Sequence, residues 1–249
     1  MDRYVKFCKR RHNILLGCPN LQVGTLEYYR EMDSGRGLIA DSNEQLERTI
    51  IQSYDSTIAD KDAREQLVAI HADDTSKIVI EQSVHEVRCP NCYVYCLTRI
   101  GGDDEITGGE EYDKDYDSYF IINDIQAFTD ELAKLIMETS TLDIFSDAEE
   151  INKLSIPEIK QIGLEYIHKP ITYVDSKTAK IDQSRIIRRS PLENLYDRIL
   201  FTKDNKYKYQ NEYRIVFAFL QPKYNKILPV KKDPIIIDIS PMKRYLSSQ

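Results

Sequence analysis

Several things are missing from this chain of 249 residues, and each absence excludes a class. No run of about 18 apolar residues occurs, so no membrane-spanning helix is expected. The opening, "MDRYVKFCKRRHN", has no apolar core of the kind a secretory signal carries, so the expected location is the cytoplasm. Cysteine is sparse and odd in number, at Cys8, Cys18, Cys89, Cys92 and Cys96, which argues for reduced thiols over a disulfide framework. Internal repeats, low-complexity linkers and regular strand–helix–strand alternation are also missing. One α+β domain over 1–249, with largely antiparallel pairing, is the architecture that remains.

Charge is present in quantity and unevenly placed. Residues 153–249 carry 19 basic and 10 acidic side chains, whereas 1–152 carry 15 and 31, so +9 and −16 give the net −7. Such polarity suits an anionic partner for the C-terminal half, or pairing between the halves. The stretch 101–117 holds eight acids and one lysine and is expected to be a mobile loop or lid without core residues.

Periodicity predicts strands over 3–8, 20–29, 77–87, 91–100, 118–123, 169–175, 226–230 and 234–239. Helices are predicted over 43–54, with Asp41 or Ser42 as cap, over 60–71, and at the start of 156–167. The clearest helix follows Asp124, with Phe128, Leu132, Leu135 and Ile136 as its apolar stripe. A short helix is expected over 191–201, with Pro191 in its first turn.

One strand raises a chemical question. From Tyr213 onward, Tyr213, Ile215, Phe217 and Phe219 share a face that asks for a core. The other face would align Gln210, Glu212 and Arg214. A carboxylate held there can bind a sugar hydroxyl and stabilise positive charge at an adjacent anomeric carbon. An amide beside it can orient a nucleophile, and Arg214 can pair with Glu212 or with a phosphate. A half-exposed strand with a solvated polar face gives the same pattern, and the spacing alone is a weak signal.

The spacing Gln210-x-Glu212 resembles the [QE]-x-E signature of the ADP-ribosyltransferase superfamily. Tyr4–Phe7 (Y-x-K-[YF]), Leu21–Arg30 (L-x-x-G-T-L-x-Y-Y-R), Ile39–Glu44 (I-A-D-x-x-E), Tyr93–Thr98 (Y-x-x-C-L-T) and Phe201–Arg214 extend the resemblance. Together they are similar to a divergent bacterial group of phage-defence and toxin–antitoxin proteins of this kind. The resemblance implies a split mixed or antiparallel sheet with flanking helices, NAD as co-substrate, and an antitoxin or chaperone as neutralising partner. It implies Glu212 as the catalytic carboxylate and Gln210 as the residue that addresses the acceptor. For NAD it points to Tyr28 or Tyr29 against nicotinamide and to Arg3, Lys6 or Arg30 near the diphosphate, with His12 another occupant of the Arg/His role. The first motif departs from the family's pattern: none of these basic residues stands in a Tyr-Arg-Gly or Tyr-His-Gly setting.

For the acceptor, Arg185, Arg188, Arg189, Lys203, Lys206 and Lys208 interleave with Tyr207 and Tyr209, a pattern that tracks phosphates and stacks on bases. RNA is therefore favoured over duplex DNA, with Arg188, Arg189, Lys206 and Arg214 as contacts. A solvated basic face gives the same pattern. Cys89-x-x-Cys92 with Cys96 and His85 offers zinc ligands, but one such pair without a distant partner reads more simply as core thiols, so no metal is expected. A non-catalytic nucleic-acid-binding module, a metal-dependent nuclease using Asp41 and Glu44, and a protein-binding subunit are the alternative classes.

Overall fold

A computed structural model describes the chain apart from residues 1, 37–45, 56, 62, 64–78, 103, 108, 110–112, 176–177, 184, 189–194, 225 and 249. The fold is mixed α+β, with several sheets and few helices. Where the sequence reading places one domain, the chain divides into two compact units. Met1–Glu44, Pro90–Ile171 and Tyr209–Gln249 form the first, Gln45–Cys89 and Thr172–Lys208 the second. Among the described residues no helix is long and apolar enough to cross a membrane.

The first unit is built on a nine-stranded sheet. Its strands are β1 (Arg3–Cys8), β2 (Asn20–Thr25), β3 (Tyr93–Ile100), β4 (Ser118–Ile122), β5 (Gly163–Pro170), β6 (Glu212–Gln221), β7 (Lys226–Leu228), β8 (Ile235–Asp238) and β9 (Leu246–Ser247). Every pairing within it is antiparallel. The sheet forks at β3. On one edge, β3 pairs with β6 from Phe217↔Tyr93 to Glu212↔Thr98. On the other it pairs with β1 at Thr98–Ile100 and with β2 only at Tyr93 and Val94. Residues 95–97 of β3 fall between these two pairings.

The apolar face predicted for 213–219 is buried as expected. Tyr213, Ile215, Phe217 and Phe219 join Tyr93, Tyr95, Leu97, Phe120 and Ile122 in the main core. Helix α1 (Leu26–Arg36) follows β2, and α2 (Ile125–Thr139) lays Phe128, Leu132 and Ile136 on that core. Each such side chain contributes about 1.5–3 kcal/mol by leaving water. Asp124 caps α2 as predicted, its carboxylate accepting from the Ala127 N–H at 3.0 Å. The opposite face of the sheet holds a smaller cluster, Val5, Phe7 and Ile121, with Ile106, Tyr116 and Tyr119 against it.

Three expectations are corrected. Residues 26–29 do not extend the second strand but open α1. Leu26 N–H donates to Cys92 O, Glu27 N–H to Asn91 Oδ1 and Tyr28 N–H to Thr25 Oγ1, which satisfies three donors that a helix start leaves free. Residues 46–51 are a strand and not a helix. There the β-branched run Thr49–Ile51 pairs with Ser83–Arg88 and Ala179–Asp182, and tertiary pairing overrides the helical charge pattern. Third, the acidic stretch is not without core residues. Its acids surround Ile106, Gly109 and Tyr116, and Gly109 lies so near Phe7 that a Cβ there would stand 2.9 Å from the ring. The predicted helix over 60–71 lies almost wholly outside the described residues, as does Pro191.

The second unit centres on the strand Leu46–Ile51, antiparallel to Ser83–Arg88 and parallel to Ala179–Asp182. Ile51, Tyr54, Ala59, Ala63 and Ile181 form its core. A buried ion pair joins Arg198 Nε to both carboxylate oxygens of Glu47, at 2.8 and 3.1 Å.

Candidate active site

Of the first-unit residues singled out by sequence, Glu212, Arg214, Lys6 and Tyr29 lie on the elements that flank the fork. Chain entry into β6 runs through a 3-10 turn, Asn205–Gln210, and then Asn211 at φ 40°. Asparagine tolerates this left-handed conformation better than most residues. It is clamped there: Arg99 N–H donates to Asn211 O at 2.9 Å, and the Asn211 amide donates to Arg99 O. Glu212 then begins β6 opposite Thr98, and Arg214 stands opposite Cys96. Arg214 Nε donates to Glu212 Oε1 at 2.8 Å, with both side chains buried. Of the alternatives for Arg214, pairing with Glu212 is the one realised.

Gln210 does not share that strand face. The left-handed Asn211 interrupts the extended run and leaves Gln210 in the preceding turn, buried, with its amide 3.5 Å from the Tyr209 hydroxyl. The expected alignment of three side chains therefore reduces to two, Glu212 and Arg214.

Lys6 comes from β1. Its Nζ donates to Cys96 O at 2.8 Å and lies 4.7 Å from the centre of the Tyr95 ring. The carbonyl it meets belongs to 95–97, the part of β3 between the β1 and β2 pairings. Lys6 thus supplies a donor where a strand N–H would otherwise stand. Burial pushes its pKa down, and Cys96, Cys8 and Glu212 pull it back up.

Tyr29 reaches the same place from α1. Its ring occupies the space beside Gly24, where a Cβ would stand 2.6 Å away. Burial pushes the Tyr29 phenol well up, with Cys96, Tyr116, Tyr95 and Glu212 adding to the shift. Tyr28 packs edge-on against Tyr29 at 5.6 Å and accepts from Gln22 Nε2 at 3.0 Å. Tyr116 descends from the acidic stretch, and burial raises its phenol to about 12. The Tyr95 hydroxyl is buried and meets no hydrogen-bond partner among the described residues.

Other expected residues stand elsewhere or have other tasks. Arg3 Nη2 donates to the carbonyls of Gly101 and Asp104, so this guanidinium anchors the start of the acidic stretch. Arg30 is half-buried on α1. In the second unit, Lys203 and Tyr207 are buried, with Lys203 Nζ 5.5 Å from the Tyr207 ring centre. Lys206 and Lys208 are exposed. Arg188 ends the strand Arg185–Arg188, and Arg189, Asp41 and Glu44 lie outside the described residues. The interleaved basic and tyrosine pattern is thus broken by burial of two of its members. All five cysteines are free thiols, and among the described residues no three His, Cys, Asp or Glu side chains gather as a metal ion requires.

Sequence reading does not identify Tyr95, Tyr116 or Asn211, and it reads Cys96 as a core thiol or zinc candidate. Only Cys96 carries a signal, since its one-residue offset from the apolar Tyr95 and Leu97 places it on the second face of β3. Comparison of the chain with protein-family profiles, curated proteins and solved structures finds no match.

Proposed function

We propose that the chain is an NAD-dependent ADP-ribosyltransferase, a toxin of bacterial phage defence that modifies nucleic acid, RNA before DNA. One observation supports this above the others. A buried carboxylate, Glu212, opens a central strand of a forked sheet, where an amine from β1 bridges the gap to Cys96 O and a phenol from the segment after β2 packs beside Gly24. These three segments are the ones the family resemblance names.

The groups suit the nicotinamide end of NAD. Breaking the nicotinamide–ribose bond leaves its electron pair on the nicotinamide nitrogen and positive charge at the anomeric carbon. Glu212 stabilises that charge and holds the ribose, while Arg214 compensates the carboxylate before substrate arrives. Tyr29 offers its ring to nicotinamide. The diphosphate falls to Lys6, which keeps two N–H donors beyond the Cys96 contact, with Arg30 on α1 as a second cation. Gln210, in the turn that delivers Glu212, addresses the acceptor, whose nucleophile bonds to the anomeric carbon and releases its proton to solvent. An antitoxin or chaperone subunit is the partner such a toxin requires.

The test is incubation with NAD labelled in the adenylate, in the presence of RNA, DNA and protein, for the wild type and Glu212→Gln. Label is expected on RNA, falling about 10²–10³-fold in the variant as a transition-state contact is lost. Equal transfer by the variant would remove Glu212 from the chemistry, and absence of both transfer and nicotinamide release in the wild type would end the proposal.

A further inference from the structure

A shallow basin of about 910 Å³ opens on the first unit beside the short turn Arg10–His12. Lys9, Arg10, Arg11 and Lys114 line it, with Leu16, Asp115 and Asp117. Its volume is within the range of small-ligand pockets, but Leu16 is its sole apolar contributor, so an apolar ligand is a poor fit.

The two carboxylates are engaged inside the basin wall. Asp115 pairs with Lys9, and Asp117 Oδ1 accepts from the Arg10 backbone N–H at 2.6 Å. Arg11 Nε donates to His12 Nε2 at 3.1 Å, a contact that places no carboxylate against the guanidinium. Among the described residues, Arg10, Arg11 and Lys114 make no ion pair, and all three are exposed. With Lys9 cancelled by Asp115 and one further cation offset by Asp117, the basin keeps a net charge of about +2 on a chain whose net charge is −7.

The turn that carries the two arginines is rigidly held. His12 N–H donates to Lys9 O and Asn13 N–H to Arg10 O, at 2.8 and 3.1 Å. Asn13 itself is buried, and its amide donates to Ser118 Oγ and Tyr119 O at 2.7 and 2.8 Å. The guanidinia are therefore presented from a backbone clamped to β4, which lowers the ordering cost of binding.

We infer that this basin docks the phosphodiester backbone of single-stranded nucleic acid. Paired guanidinia match phosphate oxygens in a way that scattered lysines do not. A bilayer is the wrong shape for a concavity with one exposed leucine on an acidic chain. Tyr116 follows Lys114 and Asp115 in the chain and lies within electrostatic reach of Cys96 and Tyr29, so the segment that lines the basin continues into the candidate site. The basin's role as acceptor dock rests on the transfer proposed above, whereas binding itself does not.

Fluorescence anisotropy with a labelled mixed-sequence single-stranded RNA 12-mer tests this on the full chain. Three neutralised phosphates predict a slope of log K against log salt of about −2, which is about a 20-fold loss between 50 and 200 mM salt. The triple variant Arg10→Gln, Arg11→Gln, Lys114→Gln is expected to bind at least about 10-fold more weakly at 50 mM, with most of that slope gone. Its urea midpoint, and its nicotinamide release from NAD without acceptor, should match the wild type. Unchanged affinity and slope in the triple variant would overturn the inference, as would displacement of RNA by an equal charge of polyglutamate. Glu212→Gln is expected to bind RNA normally. RNA binding that depends on the basin, in a wild type that transfers nothing, would keep this inference and remove only the enzymatic reading.

Discussion

Replacing Arg214 with methionine removes the guanidinium while keeping a long side chain in its space. The pair it breaks is 2.8 Å long, with its two side chains only 2% and 6% exposed. For an exposed pair the expected cost is about 0–1 kcal/mol, because water takes over each partner. Here water cannot reach the Glu212 carboxylate as readily, so the cost expected for a broken buried pair applies, about 3–5 kcal/mol. Urea unfolding at pH 7, followed by circular dichroism, reads this as a fall in midpoint at constant slope. The double variant Glu212→Leu, Arg214→Met supplies the control. With both charges gone and apolar bulk in place, it should regain much of the loss, so that the two single effects exceed the double by about 1–3 kcal/mol. A loss below about 1 kcal/mol for Arg214→Met, or strictly additive effects, would refute the view of this pair as desolvated.

Two further outcomes are expected. His168 lies 2.7 Å from the Tyr213 hydroxyl through Nδ1 and 3.0 Å from Gln126 Oε1 through Nε2, and burial lowers its pKa from 6.5 despite the pull of Asp130. The unfolded chain then binds the extra proton first. The contribution is present in full above about pH 6.5 and is lost as pH falls through and below that value. Urea midpoints at pH 8, 6.5 and 5 should show this decline, and His168→Gln should flatten part of it; the same pH response in the variant would exclude His168 as a source. Gly24→Ala sets a Cβ 2.6 Å from the Tyr29 ring, so a loss of about 1–3 kcal/mol is expected in the same assay, with a shifted near-ultraviolet tyrosine signal. A stable variant with an unaltered signal would show that Tyr29 does not press on β2.

The elements that were legible in the sequence are those whose local pattern and tertiary setting agree. Helix α2 has its cap at Asp124 and an apolar stripe at helical spacing, and it forms as read. Strand β6 alternates from Tyr213 to Phe219, and that face is core. Readings failed where one residue changes the backbone's course. At Thr25 the side chain caps a helix in a segment whose tyrosines favour strand, and at Asn211 a positive φ ends the alternation that would have aligned Gln210 with Glu212. The candidate site was legible only as separate pieces. Glu212, Lys6 and Tyr29 lie far apart in sequence, and their placement around the fork depends on which half of β3 each amino-terminal strand pairs with, which periodicity does not encode. Tyr116 was hidden for a different reason, since the acids around it mask one aromatic side chain that turns inward.

The fork in the sheet has a consequence for how the spacing of its strands can change. Across most of a sheet, separation between neighbours is set by peptide geometry at about 4.8 Å and is hard to alter. At Cys96 the span is instead bridged by a four-carbon chain ending in an amine. The aperture there is adjustable by side-chain choice: a shorter residue at position 6 would let β1 draw toward β3 or leave a carbonyl to the solvent, and an arginine would hold the opening wider. The separation of the two strands at this point can therefore drift by single substitutions without disturbing the ladder on either side.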